Sequence, residues 1–298
     1  MTQTVLVTGS SGLIGTAVTA ALAETGWSVR RLVRHSPTHP DERVWDPAGG
    51  VLDPVALDGV DAVVHLAGEN IGRRWTPARR TAIRESRVGG TALLSRVLAR
   101  IPAASRPRMM FSASAVGYYG DCGDTELDES SPLGSGFLAD VCRDWEAATA
   151  PARDAGIRVV HGRQGVVLSR RGGALPRMLL PFRFGLGGRL GSGRQWMSWI
   201  ALDDAVRAIQ AVMARDVGGP VNVVAPAPVT NAELTRALAR VVGLPALARV
   251  PAAVLHLAMG QMADETLLAS QRARPSRLLE MGMSFRYPTV QLALAHTI

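Results

Sequence analysis

Short apolar runs closed by glycine or charge alternate along this chain with longer stretches whose apolar residues recur every three or four positions. Val5 to Thr8 reads as a strand, Leu13 to Glu24 as a helix, and Val29 to Val33 and Val60 to Leu66 as strands before a long helix that ends near Arg100. In that helix Val88, Leu93, Leu94, Val97 and Leu98 fall near one face, which leaves Arg87, Arg96 and Arg100 to water. Met109 to Ala113 predicts a strand, Phe137 to Ala152 a helix, and Ile157 to Leu168 a strand. Continuous apolar strands separated by helices predict an α/β fold whose parallel sheet is covered on both faces.

After Ser169 the texture changes. The stretch from Arg170 to Gly193 is rich in Gly and Arg, with Pro176 and Pro181 bounding Met178, Leu179 and Leu180, and predicts loops and short helices over a cleft. Leu202 to Met213 reads as a helix and Pro220 to Val224 as a strand, followed by a helix from Thr230 to Val242 opened by a Thr or Asn cap.

At 298 residues, 47% of them hydrophobic, the chain can bury a large core. The two cysteines, Cys122 and Cys142, define no disulfide framework, and no apolar run is long enough for a bilayer. A soluble cytoplasmic protein, without a membrane partner, is expected. The net charge of +8 would raise the question of nucleic acid, but all 33 basic residues are arginine, scattered along the chain, and aromatics make up only 5%. No nucleic-acid partner is expected. The absence of lysine excludes any mechanism that needs a Schiff-base, P-loop or relay lysine. The six histidines show no metal-ligand spacing, and no metal is expected.

Thr8-Gly9-Ser10-Ser11-Gly12-Leu13-Ile14-Gly15 follows the first strand and opens the first helix, the context that makes a glycine motif informative. Gly9 suits a tight turn, Gly12 leaves room for a pyrophosphate, and Gly15 lets helix and strand pack closely. The N–H groups around Ser11 to Gly15 would hold the phosphates at the positive end of the helix dipole. The second strand ends at Arg34, where an NAD site would carry an acid for the ribose 2′-hydroxyl. A guanidinium pairs instead with a 2′-phosphate, so NADP(H) is the expected cofactor, the alternative being a solvated surface arginine.

These residues resemble the short-chain dehydrogenase/reductase superfamily in its extended branch of epimerases and dehydratases. The glycine spacing is that of the branch, His65-Leu66-Ala67-Gly68 looks like its second cofactor motif, and Trp45-Asp46 sits where its third strand meets the adenine. Ser112 to Gly120, Phe137 to Glu146 and above all Gly187 to Ile200 look like an atypical "epimerase family" subgroup, and Pro251 to Tyr287 is similar to its C-terminal domain of unknown function. The resemblance implies a Rossmann-type doubly wound parallel sheet with a smaller C-terminal substrate-side region. The cofactor domain would span 1–168, its sheet completed by about 202–224, with 169–201 and 225–298 on the substrate side.

The resemblance also shows departures. Extended-branch enzymes carry a Tyr-x-x-x-Lys pair on the helix that here reads Phe137-Leu138-Ala139-Asp140-Val141-Cys142-Arg143, and neither partner is present. Val166 replaces a substrate-contacting asparagine and Met197 an arginine that often holds a nucleotide diphosphate. The expected catalytic set is therefore Ser114 with Tyr118 or Tyr119, Tyr118 being favoured by register. The expected cofactor set is Gly9, Ser11, Gly12, Leu13, Ile14, Gly15, Arg34, Asp46, Leu66, Ala67, Gly68 and Arg163. Glu69, Arg189 and Gln195 are expected on the substrate side, and Cys142 as a small apolar filler. The partner is a small polar molecule, anionic in one reading, with a homodimer left open. Two functions fit: an NADP(H)-dependent epimerase-like oxidoreductase, or an NADPH-binding sensor or scaffold without turnover.

Overall fold

In the computed structural model, which describes residues 2–298, the apolar runs line up as one eight-stranded sheet. Its strands are β1 (Thr4–Thr8), β2 (Ser28–Val33), β3 (Glu42–Asp46), β4 (Val51–Leu52), β5 (Ala62–His65), β6 (Met109–Ala115), β7 (Arg158–Gln164) and β8 (Gly219–Val223). Their order is β8-β7-β6-β5-β1-β2-β3-β4, parallel throughout except where β4 runs against β3. The fold is Rossmann-type, and the chain reverses its direction of travel between β1 and β5, which opens the crevice where doubly wound sheets bind ligands.

Alternate residues of each strand enter two different cores. Val5, Val7, Val64, Phe111, Val160 and Val221 pack under α1 (Leu13–Glu24) and a helix at Leu202–Ala214. Leu6, Leu32, Val63, Met110 and Val159 pack instead under α2 (Pro77–Arg100), through its Leu93, Leu94, Val97 and Leu98. Toward the C-terminal ends of the strands this second face turns polar, with Thr8, His65, Ser112, Ser114 and Arg163 all buried.

Three expectations are corrected. Arg87 does not face water: its Nη1 donates to the carbonyls of Glu69 and Ile83 and the guanidinium lies 5.1 Å from the Trp145 ring. The helix read through Ala152 is two, α3 (Phe137–Ala147) and a short helix Ala150–Asp154, because Pro151 has no N–H to continue the ladder and starts a new first turn. The strand read as Ile157 to Leu168 is also two, since after β7 the segment Val166–Leu168 leaves the sheet to pair with Trp199–Ala201. Gly165 makes the handover possible, as a Cβ there would stand 2.6 Å from the Ser198 carbonyl oxygen.

The C-terminal half builds a third core from Leu175, Leu179, Phe182, Trp199, Leu234, Leu238, Val290 and Leu294. Pro176 and Pro181 lie within one of the short helices expected here, Leu175–Arg183. The helix Asn231–Val242 starts on a capping box between Thr230 and Glu233. Buried Asp204 binds this half to the sheet side by accepting the backbone N–H groups of Arg286 and Tyr287, both at 2.9 Å.

Candidate functional site

The glycine motif closes the C-terminal end of β1 against the end of β5. Gly9 has φ +67°, and a Cβ on it would stand 2.8 Å from the Leu66 carbonyl carbon. Gly15 is equally confined, its Cβ position lying 2.1 Å from the Gly9 oxygen. Gly12 differs. A Cβ there would meet only the Gly9 oxygen, at 3.2 Å, and otherwise open space. Packing therefore explains the absence of a side chain at Gly9 and Gly15, whereas at Gly12 the room is left toward the crevice. No side chain caps α1, so the first-turn N–H groups of Leu13, Ile14 and Gly15 lack helical partners and Ser11 beside them is exposed. This cradle fits a pyrophosphate.

Around it, Thr8 Oγ1 accepts the N–H groups of Leu66 (3.1 Å) and Ala67 (3.2 Å), which fixes the turn leading to Gly68. With its lone pairs so occupied, the Thr8 hydroxyl donates to His65 Nδ1 at 2.7 Å, which leaves the proton of His65 on Nε2, 2.9 Å from Thr91 Oγ1. Burial pushes His65 down to about 4, so this buried row is neutral. Arg34 lies exposed just past β2 and makes no hydrogen bond or ion pair among the described residues, so its guanidinium is available. Asp46 is exposed at the end of β3, and its Oδ1 accepts the N–H groups of Ala48 and Gly49, both at 3.0 Å.

At the ends of β6 and β7 lies a charged network. Ser114, Arg163 and Asn222 are register neighbours on β6, β7 and β8 and share one face. Ser114 Oγ donates to Glu146 Oε1 at 2.7 Å, and Arg163 grips the same carboxylate through Nε (2.9 Å) and Nη2 (3.0 Å). Its Nη1 donates to the Tyr119 hydroxyl at 3.1 Å, which donates to Asn222 Oδ1 at 2.7 Å. Burial alone would lower Arg163, but the hydrogen bonds and charge of Glu146 outweigh it and hold the guanidinium above its ordinary value. Tyr118 lies face-on against this cation, its ring centroid 3.5 Å from Arg163 Cζ, and its hydroxyl makes no hydrogen bond among the described residues.

This geometry removes several expected residues from the site. Tyr119 is fully enclosed and burial pushes its phenol up to about 12, so it is a core hydrogen-bonding group and not an acid offered to a ligand. Arg163 is 3% exposed and its donors are committed to Glu146, Tyr119 and the Glu129 carbonyl, so it organises the site and does not face a cofactor. Gln195 spends its amide on the carbonyls of Leu190 (3.1 Å) and Leu267 (3.0 Å), joining two segments of the C-terminal half. Arg189 stands exposed on a separate two-stranded ribbon and has no contact with the Ser114 network. Glu69 does border the crevice, but its carboxylate is matched by Arg79 at 3.0 Å. Cys142 is buried, which pushes its thiol up to about 12.

Glu146 is the functional residue that reading the chain missed. The signal was there: it lies four residues after Cys142, one turn further along the face where the lysine was sought. Glu265 was also missed. Its carboxylate accepts the N–H groups of Phe137 (3.0 Å) and Leu138 (2.7 Å), so the C-terminal region caps the helix that carries Glu146.

A depression of about 840 Å³ lies at the opposite end of the sheet among Gln3, Trp27, Asp61 and Arg158. Arg158 there spends its Nη1 on the carbonyls of Val212 and Val217, so the depression is a seam between elements.

Comparison with known proteins gives the chain's family and fold. Residues 5–224 match the NAD dependent epimerase/dehydratase family, and residues 250–297 a domain of unknown function, DUF1731. An epimerase family protein of Mycobacterium bovis is 49% identical over 294 residues, covering 98% of this chain and 96% of that one. The human epimerase family protein SDR39U1, solved with NADPH, superposes with a TM-score of 0.89 at 35% identity, covering 99% of each chain. A nucleoside-diphosphate sugar epimerase from Corynebacterium glutamicum gives a TM-score of 0.83 at 43% identity, over 100% of this chain and 58% of that one, so this chain spans little more than half of that protein.

Proposed function

Because the chain belongs to the NAD dependent epimerase/dehydratase family, we propose that it binds NADP(H) between β1 and β5 and reduces the carbonyl group of a small polar metabolite at the end of β6. Gly12 and the uncapped start of α1 receive the pyrophosphate, and the unpaired Arg34 meets the 2′-phosphate. The human relative was solved with NADPH, which agrees with an arginine rather than an acid at this position.

The observation that carries the reaction is Tyr118, half-buried against Arg163 with its hydroxyl unengaged. When bound, NADPH supplies a hydride to a carbonyl carbon. Tyr118 gives its phenolic proton to the oxygen that gains negative charge, and the Arg163 cation against the ring offsets the charge left behind. Ser114 cannot polarise that carbonyl as a donor, because its proton is held by Glu146. It offers lone pairs instead, and so orients a substrate hydroxyl next to the reacting carbon. A substrate with a hydroxyl beside its carbonyl satisfies both groups.

The test follows NADPH absorbance with a panel of hydroxycarbonyl metabolites, for wild type, Tyr118→Phe and Arg34→Asp. Turnover that falls at least a hundredfold in Tyr118→Phe, with NADPH affinity retained, supports the assignment. Arg34→Asp should weaken NADPH but not NADH, by about 1.5–3 kcal/mol for a lost charge-assisted bond. Full activity in Tyr118→Phe refutes the tyrosine, and equal weakening of both cofactors refutes Arg34. The sensor reading draws on the absence of the Tyr-x-x-x-Lys pair from α3, and tight NADPH binding without turnover of any panel member would favour it.

A further inference from the structure

One surface of the C-terminal half combines two features that water alone does not favour. Gly188–Leu190 pairs in parallel with Ala248–Val250, which sets Leu186 and Leu247 at the same end of the ribbon. Leu247 is 89% exposed, Phe184 73% and Leu186 68%. The next helix, Ala252–Met259, buries only Leu255 and leaves Leu257 78% exposed. A folded monomer rarely projects this many large apolar side chains from adjoining segments.

The same ribbon places Arg189 directly opposite Arg249, both exposed. Neighbouring strands lie about 4.8 Å apart, so two like charges stand side by side, an unfavourable pair unless an anion lies between them. Arg183, also exposed, ends the helix that leads into the ribbon. None of the three makes an ion pair among the described residues, and no Asp or Glu occurs from Leu168 to Leu202 or from Leu234 to Ala263.

We propose that this surface docks on a lipid bilayer carrying anionic headgroups, with Phe184, Leu186, Leu247 and Leu257 entering the interface and Arg183, Arg189 and Arg249 meeting the phosphates. Apolar side chains that project, ringed by cations, match the amphipathic profile of an interfacial surface. A second copy of the chain fits poorly. A two-fold contact through this patch would set its arginines against themselves without a carboxylate to receive them. The contact is adsorption: among the described residues no helix is long and apolar enough to cross a membrane. It departs from the expectation that the protein has no membrane partner.

The experiment is co-sedimentation with vesicles of phosphatidylcholine alone and of phosphatidylcholine with 30% phosphatidylglycerol. Wild type should partition at least tenfold more strongly onto the anionic vesicles and come off as salt is raised. Arg189→Gln/Arg249→Gln should lose the salt-sensitive part, about fivefold for each arginine. Phe184→Ser/Leu247→Ser should lose at least tenfold on the anionic vesicles while its unfolding midpoint stays at the wild-type value. Equal partition onto both vesicle types, or anionic binding untouched by both variant pairs, overturns the proposal. So does a dimer in sedimentation equilibrium that Phe184→Ser/Leu247→Ser dissolves, because the surface would then be buried between copies.

Discussion

Replacing Glu146 by alanine tests the central network most directly. The Arg163 and Glu146 side chains are only 4% and 12% exposed, and the pair meets through bonds of 2.9 and 3.0 Å. Removing the carboxylate leaves Arg163 with the Tyr119 hydroxyl at 3.1 Å and the Glu129 carbonyl at 3.4 Å, and takes from Ser114 the acceptor it meets at 2.7 Å. An unpaired buried charge of this kind destabilises by about 3–5 kcal/mol. In a chain of this size each kcal/mol lowers the unfolding midpoint by about 2 °C, so a fall of roughly 6–10 °C is expected. The assay is urea unfolding of Glu146→Ala, Arg163→Met and the double variant. Arg163→Met alone strands the carboxylate, whereas the double variant removes both charges, so the two losses should overlap by at least about 2 kcal/mol. A Glu146→Ala variant within about 1 kcal/mol of wild type, or strictly additive losses, would refute the reasoning.

Gly12→Ala should fold normally, its stability loss staying under about 1 kcal/mol for a weaker N-cap, yet bind NADPH at least tenfold more weakly. Gly15→Ala should instead disrupt the loop itself, and wild-type melting of Gly15→Ala would contradict the 2.1 Å approach. His65 is held near 4 by burial, while an unfolded histidine titrates near 6.5, so the unfolded chain binds the extra proton between those values. Stability should therefore fall as pH drops from about 6.5 to about 4, by on the order of 3 kcal/mol, and a unfolding series in which His65→Gln keeps the wild-type slope would exclude this origin. Glu265→Ala should uncap α3 and lower stability by about 1 kcal/mol, with turnover falling further than that loss explains, as read from matched unfolding and NADPH-oxidation curves.

The glycine motif was legible because its signal is local. Three glycines, a following amphipathic stretch and the strand ending at Arg34 lie within thirty residues, and the structure assigns separate steric reasons to Gly9, Gly12 and Gly15. The reaction end was legible only in outline. Ser114 and Tyr118 were singled out, and the structure sets both beside the Arg163–Glu146 pair at the end of β6, but Tyr119 and Arg163 were read as ligand-facing when both are enclosed. Their burial depends on Asn222, more than one hundred residues beyond Tyr119, and on Glu146 from the covering helix.

The elements themselves follow from the linear pattern of apolar residues, because strand and helix periodicity, turn glycines and caps act over a few positions. Pattern alone could not see that Gly165 hands the chain from the sheet to a second ribbon, since the Ser198 carbonyl that requires a glycine there comes from another segment. Nor could it tell which of 33 arginines would be buried. A charge leaves water only where a partner at hydrogen-bond distance replaces the lost hydration, and for Arg163 that partner is brought by the packing of α3 against the sheet. The glycine motif was therefore readable from neighbours along the chain, whereas the closeness of Leu66 to Gly9 and the environment of Ser114 and Tyr118 were decided by neighbours in space.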